Sequence, residues 1–403
     1  MPIKLGLIGK TNTGKTTFFN SATLSSEEIS SYPFTTKSPV SGVTHAITLC
    51  VHPEFKIQDN PNNSKCLEGW RYIPIELIDL PGLIKDAWKG KGLGNQFLSI
   101  AAQSDALLHV VDASGGIDSS GKITEVGTGD PISDFADIEE ELIMWYHKIL
   151  EGNRDKISKL IRAGSDIVEA LADLYRGIGV NNTHVKESLM ATNLSEKEFD
   201  DFDIADTKKL ASLIRKISKP TLIVANKIDV EGADKNFARL RERFNDSIVI
   251  PASGDSEFSL RRAEQKNLIK YSPGSEQFEI IKSEELNEKQ VSALNFIKKG
   301  IMGEYMRTGV QFAINVAVFK LLKMNSIYPV ADEKNLTDKK GQVLPDLILL
   351  KDGATIKDLA KEIHSDLTKG LLYGKDLRYN LRLPVDYQLR DRDVVSLVSA
   401  SKK

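Results

Sequence analysis

Three short stretches carry residue types that could do chemistry on a nucleotide. GKTNTGKT (9–16) has the spacing G-x-x-x-x-G-K-[ST] and lies between an apolar run, IKLGLI (3–8), and a helical run. In that context backbone N–H groups and a helix N-terminus can cradle a β-phosphate. Lys15 then reaches the β- and γ-phosphates, and the Thr16 hydroxyl becomes a Mg²⁺ ligand. Gly9, Asn12, Thr13, Gly14, Lys15, Thr16 and Thr17 are therefore the expected phosphate-site residues.

The second stretch must supply a carboxylate to the metal. DLPG (79–82) and DASG (112–115) both come directly after strong strand patterns. Asp79 is preferred because it leads into a glycine-rich segment and then a helix, as a phosphate-sensing switch requires. It would hold the Mg²⁺ shell through water, while Asp112 is read as a structural turn residue. The third stretch, NKID (226–229), comes after the apolar run PTLIVA. Asp229 can accept from guanine N1–H and the 2-amino group together, whereas adenine leaves that carboxylate unpaired. Asn226 would tie this loop to the phosphate loop and reach guanine N7, with the Lys227 stem along the base. ASGD (252–255) is positioned to offer the Ser253 side chain and the Gly254 amide to the base.

These residues need a scaffold. Five apolar strand runs (3–8, 73–78, 106–111, 220–225 and 247–252) alternate with helical patterns such as 95–104 and 206–218. That alternation predicts an α/β fold with a doubly wound, mostly parallel sheet and ligands at the C-terminal strand ends. Residues 130–205 break the rhythm with charged amphipathic helices, read as an insertion. The expected division is 1–129 with 206–286 for the nucleotide domain, 130–205 for the helical insertion, 287–325 for a helical connector and 326–403 for a small β-grasp module. Strand runs SIYPV, VLPDLILLK and DVVSLVSA around one helix, 355–367, carry that last reading.

The chain has 403 residues, 41% hydrophobic and 27% charged, with a net charge of −2, so no global field draws it to nucleic acid or membrane. Two cysteines and no apolar run of roughly 18 residues argue against a secreted or membrane-spanning protein, and a cytoplasmic, monomeric one is expected. Cys50, His52 and Cys66 fall in one loop, but zinc sites usually take four ligands, so no metal is expected there.

In this order, the P-loop, DLPG, NKID and ASGD elements resemble a TRAFAC-class GTPase. YPFTT (32–36) and DLPGLIKDAWKGKGLGNQFL narrow the likeness to the Obg family, and the insertion and C-terminal module to its YchF/DRG-like branch; residues 326–400 are similar to a TGS domain. The resemblance implies a P-loop G domain that binds GTP or GDP with Mg²⁺, and a switch role for Thr36 as a sensor of metal and γ-phosphate. Lys15, Thr36, Asp79 and Gly82 are then the reaction-centre residues, and Thr16, Thr36 and Asp79 the Mg²⁺ set. YchF proteins proper are noted for a degenerate base motif and a preference for ATP. An intact NKID favours GTP here, with an ATPase of the same fold as the alternative.

Many GTPases place a glutamine after D-x-x-G to orient water. Leu83 cannot, so slow hydrolysis is expected, and a nucleotide-sensing scaffold with negligible turnover is the rival from another class. Thr11 would crowd an arginine finger, and Asn12 is a candidate K⁺ ligand by the same family likeness. Lys85, Lys89 and Lys91 could pair with phosphate, acidic residues or RNA. The basic, tyrosine-bearing segment 369–392 and the helical insertion are the expected contacts to a ribosome or RNA.

Overall fold

A computed structural model describes residues 2–23, 40–82, 88 and 94–400. YPFTT with Thr36, and also Leu83, Lys85, Lys89 and Lys91, lie outside the described residues. The chain divides into two compact units: Met1–Thr44 with Glu76–Ala313, and His45–Ile75 with Ile314–Lys403.

The main sheet contains β1 (Lys4–Ile8), β2 (Val40–Leu49), β3 (Lys65–Leu67), β4 (Trp70–Asp79), β5 (Ala106–Asp112), β6 (Thr221–Asn226) and β7 (Val249–Pro251), in the order β2-β4-β1-β5-β6-β7 with β3 beside β4. The pairs β1–β4, β1–β5, β5–β6 and β6–β7 are parallel. Every residue of β5 is buried, as expected for a central strand covered by helices on both faces. The strand order runs outward both ways from β1 and β5. The loops after β1, β4 and β6 therefore gather at one sheet edge, which is where the three chemical motifs sit.

Helix Lys15–Thr23 starts at the lysine of the phosphate loop. The insertion opens with helix Pro131–Glu151, whose first residue is proline and whose free N–H groups are capped by the Asp130 carboxylate. Next come two helices, Arg154–Arg162 and Ile167–Tyr175, separated where Gly164 takes φ +99° and Asp166 caps the second. Helix Asn182–Thr192 comes next, and Ile204–Ser218 packs on Pro131–Glu151. Tyr146, Tyr175, Leu189 and Leu210 share a continuous core with Leu98 and Ile8. A short pair, β8 (Ile269–Lys270) and β9 (Glu279–Ile280), lies farther along this unit.

The second unit has a five-stranded mixed sheet, β11 (Ile348–Lys351), β10 (Met324–Val330), β14 (Val394–Ser399), β12 (Leu371–Asp376) and β13 (Leu381–Leu383), in that spatial order. The parallel central pair β10–β14 and one covering helix, Ile356–Ile363, give the β-grasp arrangement. Ile327, Ile356, Leu359, Leu389 and Val395 form its core. This unit also takes in His45–Ile75, which the strand–helix alternation assigns to the nucleotide domain. The reason is polar pairing. Asn63 exchanges hydrogen bonds with the backbone of Leu347 at 2.9 and 3.0 Å, and Asn60 N–H donates to Val343 O at 2.8 Å. Among the described residues, no helix is long and apolar enough to cross a membrane.

Candidate functional site

The phosphate loop is assembled on its own backbone. Lys15 Nζ donates to the carbonyls of Gly9 (3.1 Å) and Lys10 (2.6 Å), and Thr13 Oγ1 donates to Lys10 O at 3.1 Å. Burial lowers the Lys15 pKa to about 8, against the pull of Asp79, which favours the charged form. Gly14 has φ +93°, and a Cβ there would lie 2.2 Å from Asn226 Nδ2, so only glycine fits.

Thr16 Oγ1 donates to Asp79 Oδ2 at 2.8 Å, which joins two of the predicted metal-site residues across 63 positions of sequence. Asp79 Oδ1 is buried with no hydrogen-bond partner. Burial raises the Asp79 pKa, and neither the Thr16 hydroxyl nor the Lys15 charge offsets it. A carboxylate held so, beside a hydroxyl, fits a hard divalent cation. Gly82, at the end of the same turn, has no room for a side chain: a Cβ would meet Thr11 Oγ1 at 2.5 Å.

Asn226 is the clamp. Its Nδ2 donates to Thr13 O at 2.9 Å, and its Oδ1 accepts from Gly254 N–H at 3.1 Å, so one amide links the phosphate loop, the NKID turn and the ASGD turn. Asp229 is partly buried just past it. The Ser253 hydroxyl, expected to face the base, caps its own helix instead: it accepts from Ser256 N–H at 3.1 Å and donates to Ser256 Oγ at 2.8 Å. The free N–H groups of helix Gly254–Gln265 take it first.

Sequence reasoning missed three supports of this site. Lys227 Nζ donates to the fully buried Asp112 at 2.7 Å, while Asp112 also accepts from Ser114 N–H and Oγ. The turn role given to Asp112 thus extends to holding Lys227. Lys10, a variable position of the phosphate loop, is buried between Asp134 (2.8 Å) and Asp137 (2.7 Å) of the insertion helix. Asn12 Nδ2 donates to Gly121 O at 3.0 Å. Each pair is more than a hundred residues apart in sequence, so no local signal announces it. Trp88 N–H donates to Glu141 of the insertion helix at 3.1 Å, and Lys148 Nζ donates to Trp88 O at 3.2 Å.

Four of the six cations in 369–392 are already paired: Lys369 with Asp366, Lys375 with Glu333, and Arg378 and Arg392 with Glu54. Arg382 stacks over Tyr373 at 3.9 Å, while Tyr379 and Leu381 are exposed.

The fold and these loops define a P-loop GTPase of the Obg-like class. Residues 4–133 match the family described as 50S ribosome-binding GTPase, residues 224–332 the Obg-like GTPase YGR210-like, G4 motif-containing domain, and residues 333–399 the TGS domain. A GTP-binding protein of Methanocaldococcus jannaschii, described as uncharacterized, is 41% identical over 398 residues, 99% of each chain. A protein of Bacillus subtilis named ribosome-binding ATPase YchF is 31% identical over 285 residues, 67% of this chain and 70% of its own. The crystal structure of a GTP-binding protein from Pyrococcus horikoshii superposes with a TM-score of 0.80 at 34% identity, covering 99% of this chain and 100% of that one. The chain belongs to the YchF-like branch of the Obg family of GTP-binding proteins, with a C-terminal TGS domain.

Proposed function

We propose that this protein binds Mg²⁺·GTP and hydrolyses it slowly to GDP and phosphate. In this reading Gly9 and Asn12–Thr17 cradle the phosphates, Thr16 and Asp79 hold the metal with Thr36, and Asn226, Lys227 and Asp229 read guanine. The bound Mg²⁺ would neutralise charge building on the β- and γ-phosphate oxygens. Gly82 lies at the reaction centre beside the phosphate loop, and the absence of a glutamine at Leu83 keeps turnover slow. Gly254 supports the base loop through Asn226.

The observation that carries the proposal is the Asn226 clamp, which joins a phosphate-binding loop to a turn bearing an intact guanine-reading aspartate. Competition between GTP and ATP for the purified protein tests it, and equal affinity for the two would remove the case for guanine. The Asp229→Asn variant is expected to lose about a hundredfold or more in GTP affinity and to gain binding of xanthosine triphosphate. An ATPase is the second reading, favoured by the name of the B. subtilis relative.

The same name, and the match of residues 4–133 to a ribosome-binding GTPase family, support a ribosomal or RNA partner. The proposed division is a G domain (1–129 and 206–286), an insertion (130–205), a connector (287–325) and a TGS-like domain (326–403), with the insertion and TGS-like domain making that contact. Co-sedimentation with ribosomes under GTP, GDP and no nucleotide checks the partner. Single-turnover hydrolysis with and without ribosomes separates a switch from a scaffold. Equal rates in K⁺ and Na⁺ buffers would remove Asn12 as a K⁺ ligand.

A further inference from the structure

The second unit holds a cluster that shares no residue with the nucleotide loops. Cys50 lies just past β2, His52 heads the short helix His52–Phe55, Asp59 sits in the next loop, and Cys66 is in β3. One donor atom from each lies within 4.8 Å of the others. Cys50 Sγ is 3.2 Å from Asp59 Oδ2, His52 Nδ1 is 3.4 Å from Asp59 Oδ2, and Cys66 Sγ is 3.5 Å from His52 Nδ1. Ligands at usual zinc distances stand about 3.3–3.8 Å apart along the edges of a tetrahedron, so three of the six edges are already near that length.

The geometry points to a structural zinc site in which Cys50, His52, Asp59 and Cys66 are the four ligands. The sequence offered only three donors in this loop, one short of the usual set. Asp59 supplies the fourth, held beside Cys50 and His52 by the Arg71 guanidinium.

Two further observations support a metal. Among residues 50–69 the buried side chains are Cys50, Val51 and Asp59, and Leu67 is 56% exposed, so this excursion has almost no apolar core. Segments that cannot bury enough apolar surface commonly rely on a metal or a disulfide. The backbone also fixes the donors from both sides. Cys50 N–H donates to Gly69 O at 2.8 Å, and Cys66 stands opposite Arg71 in the β3–β4 pair.

Arg71 completes the site. It is fully buried, donates from Nη1 to Asp59 Oδ2 at 2.8 Å and from Nη2 to Leu344 O at 2.5 Å, and lies over the Tyr328 ring. Two thiolates, one carboxylate and neutral His52 carry three negative charges; a divalent ion and Arg71 return the buried group to neutrality. Asp59 Oδ2 carries both the short edges to Cys50 and His52 and the Arg71 hydrogen bond; a carboxylate oxygen has two lone pairs, so one can face the metal while the other accepts from Arg71. Soft thiolates with imidazole in a four-ligand closed set select zinc, and leave no open position for chemistry.

The test uses the full chain, purified under reducing conditions without added metal. Elemental analysis is expected to find one bound zinc per chain. After zinc removal, Co²⁺ should give a strong visible d–d band and a thiolate charge-transfer band in the near ultraviolet. Cys66→Ser, at a partly exposed strand position, should bring metal content to background while GTP binding in the first unit is retained. A chelator should lower the unfolding temperature of the parent protein and leave that of the variant unchanged. Background zinc in the parent protein with only weak, octahedral Co²⁺ absorption would overturn the site. So would the absence of free thiols in a denatured sample purified without reductant, which would mean a Cys50–Cys66 disulfide instead.

Discussion

Lys15 is the residue whose environment does most to set how the site responds to conditions. Its folded pKa of about 8 lies below the ordinary 10.5, because burial disfavours the charged form. The unfolded chain therefore binds more protons between those values, and this group adds stability to the nucleotide-free protein as pH rises through that window. Nucleotide binding has the opposite sign, since a triphosphate needs the ammonium. Affinity is expected to fall about tenfold from pH 7 to pH 9, measured by calorimetry, with no such slope in Lys15→Ala. In the sequence, the glycine-rich segment after Asp79 sets it apart from Asp112; in the structure Asp79 meets Thr16, whereas Asp112 meets Ser114 and Lys227.

At the scale of elements, the site depends on loops held by long-range pairs. Gly14→Ala would drive a methyl group into Asn226 and force a strained backbone, so both phosphate and base loops should shift. A stability loss of about 1–3 kcal/mol and a GTP affinity about a hundredfold weaker are expected from denaturation and binding measurements. Lys10 is held by two carboxylates of the insertion helix, and removing both would leave a buried ammonium unpaired. Asp134→Asn with Asp137→Asn is expected to cost about 3–5 kcal/mol, whereas Asp137→Asn alone, at a half-exposed position, should cost under about 1 kcal/mol. Equal effects would mean that Lys10 does not depend on Asp134. The elements themselves were largely legible: β1, β5, β6 and helix Ile204–Ser218 begin and end within two residues of their apolar runs. β2 and β12 were not, because VSGVTHAITL and LLYGKD have neither a continuous apolar run nor clean alternation, and β13, LRL, is only three residues long.

For the whole molecule, the unexpected feature is that His45–Ile75 belongs with the C-terminal unit. Cutting the chain before residue 333, at the TGS boundary, removes Leu344 and Leu347, the partners of Arg71 and Asn63. Arg71 would lose its carbonyl acceptor, Leu344 O. Such a truncation is expected to retain GTP binding yet become more sensitive to proteolysis within 50–70 than the full chain. Mass spectrometry of limited digests reads this directly, and an equally protected loop would show that the segment holds its shape without the TGS domain.

The sequence by itself determined the GTP-binding family and the proposal for its nucleotide loops, because the phosphate loop and the NKID turn are local: one strand, one turn and one helix position each of them. It also determined the class of fold, since buried parallel strands and amphipathic helices differ in apolar period over a few residues. Only the tertiary structure decided which residues support those loops. Lys10 with Asp134 and Lys227 with Asp112 meet through chain crossings that no period encodes. It also placed the Ser253 hydroxyl on a free N–H group of its own helix, a contact the ASGD stretch does not announce.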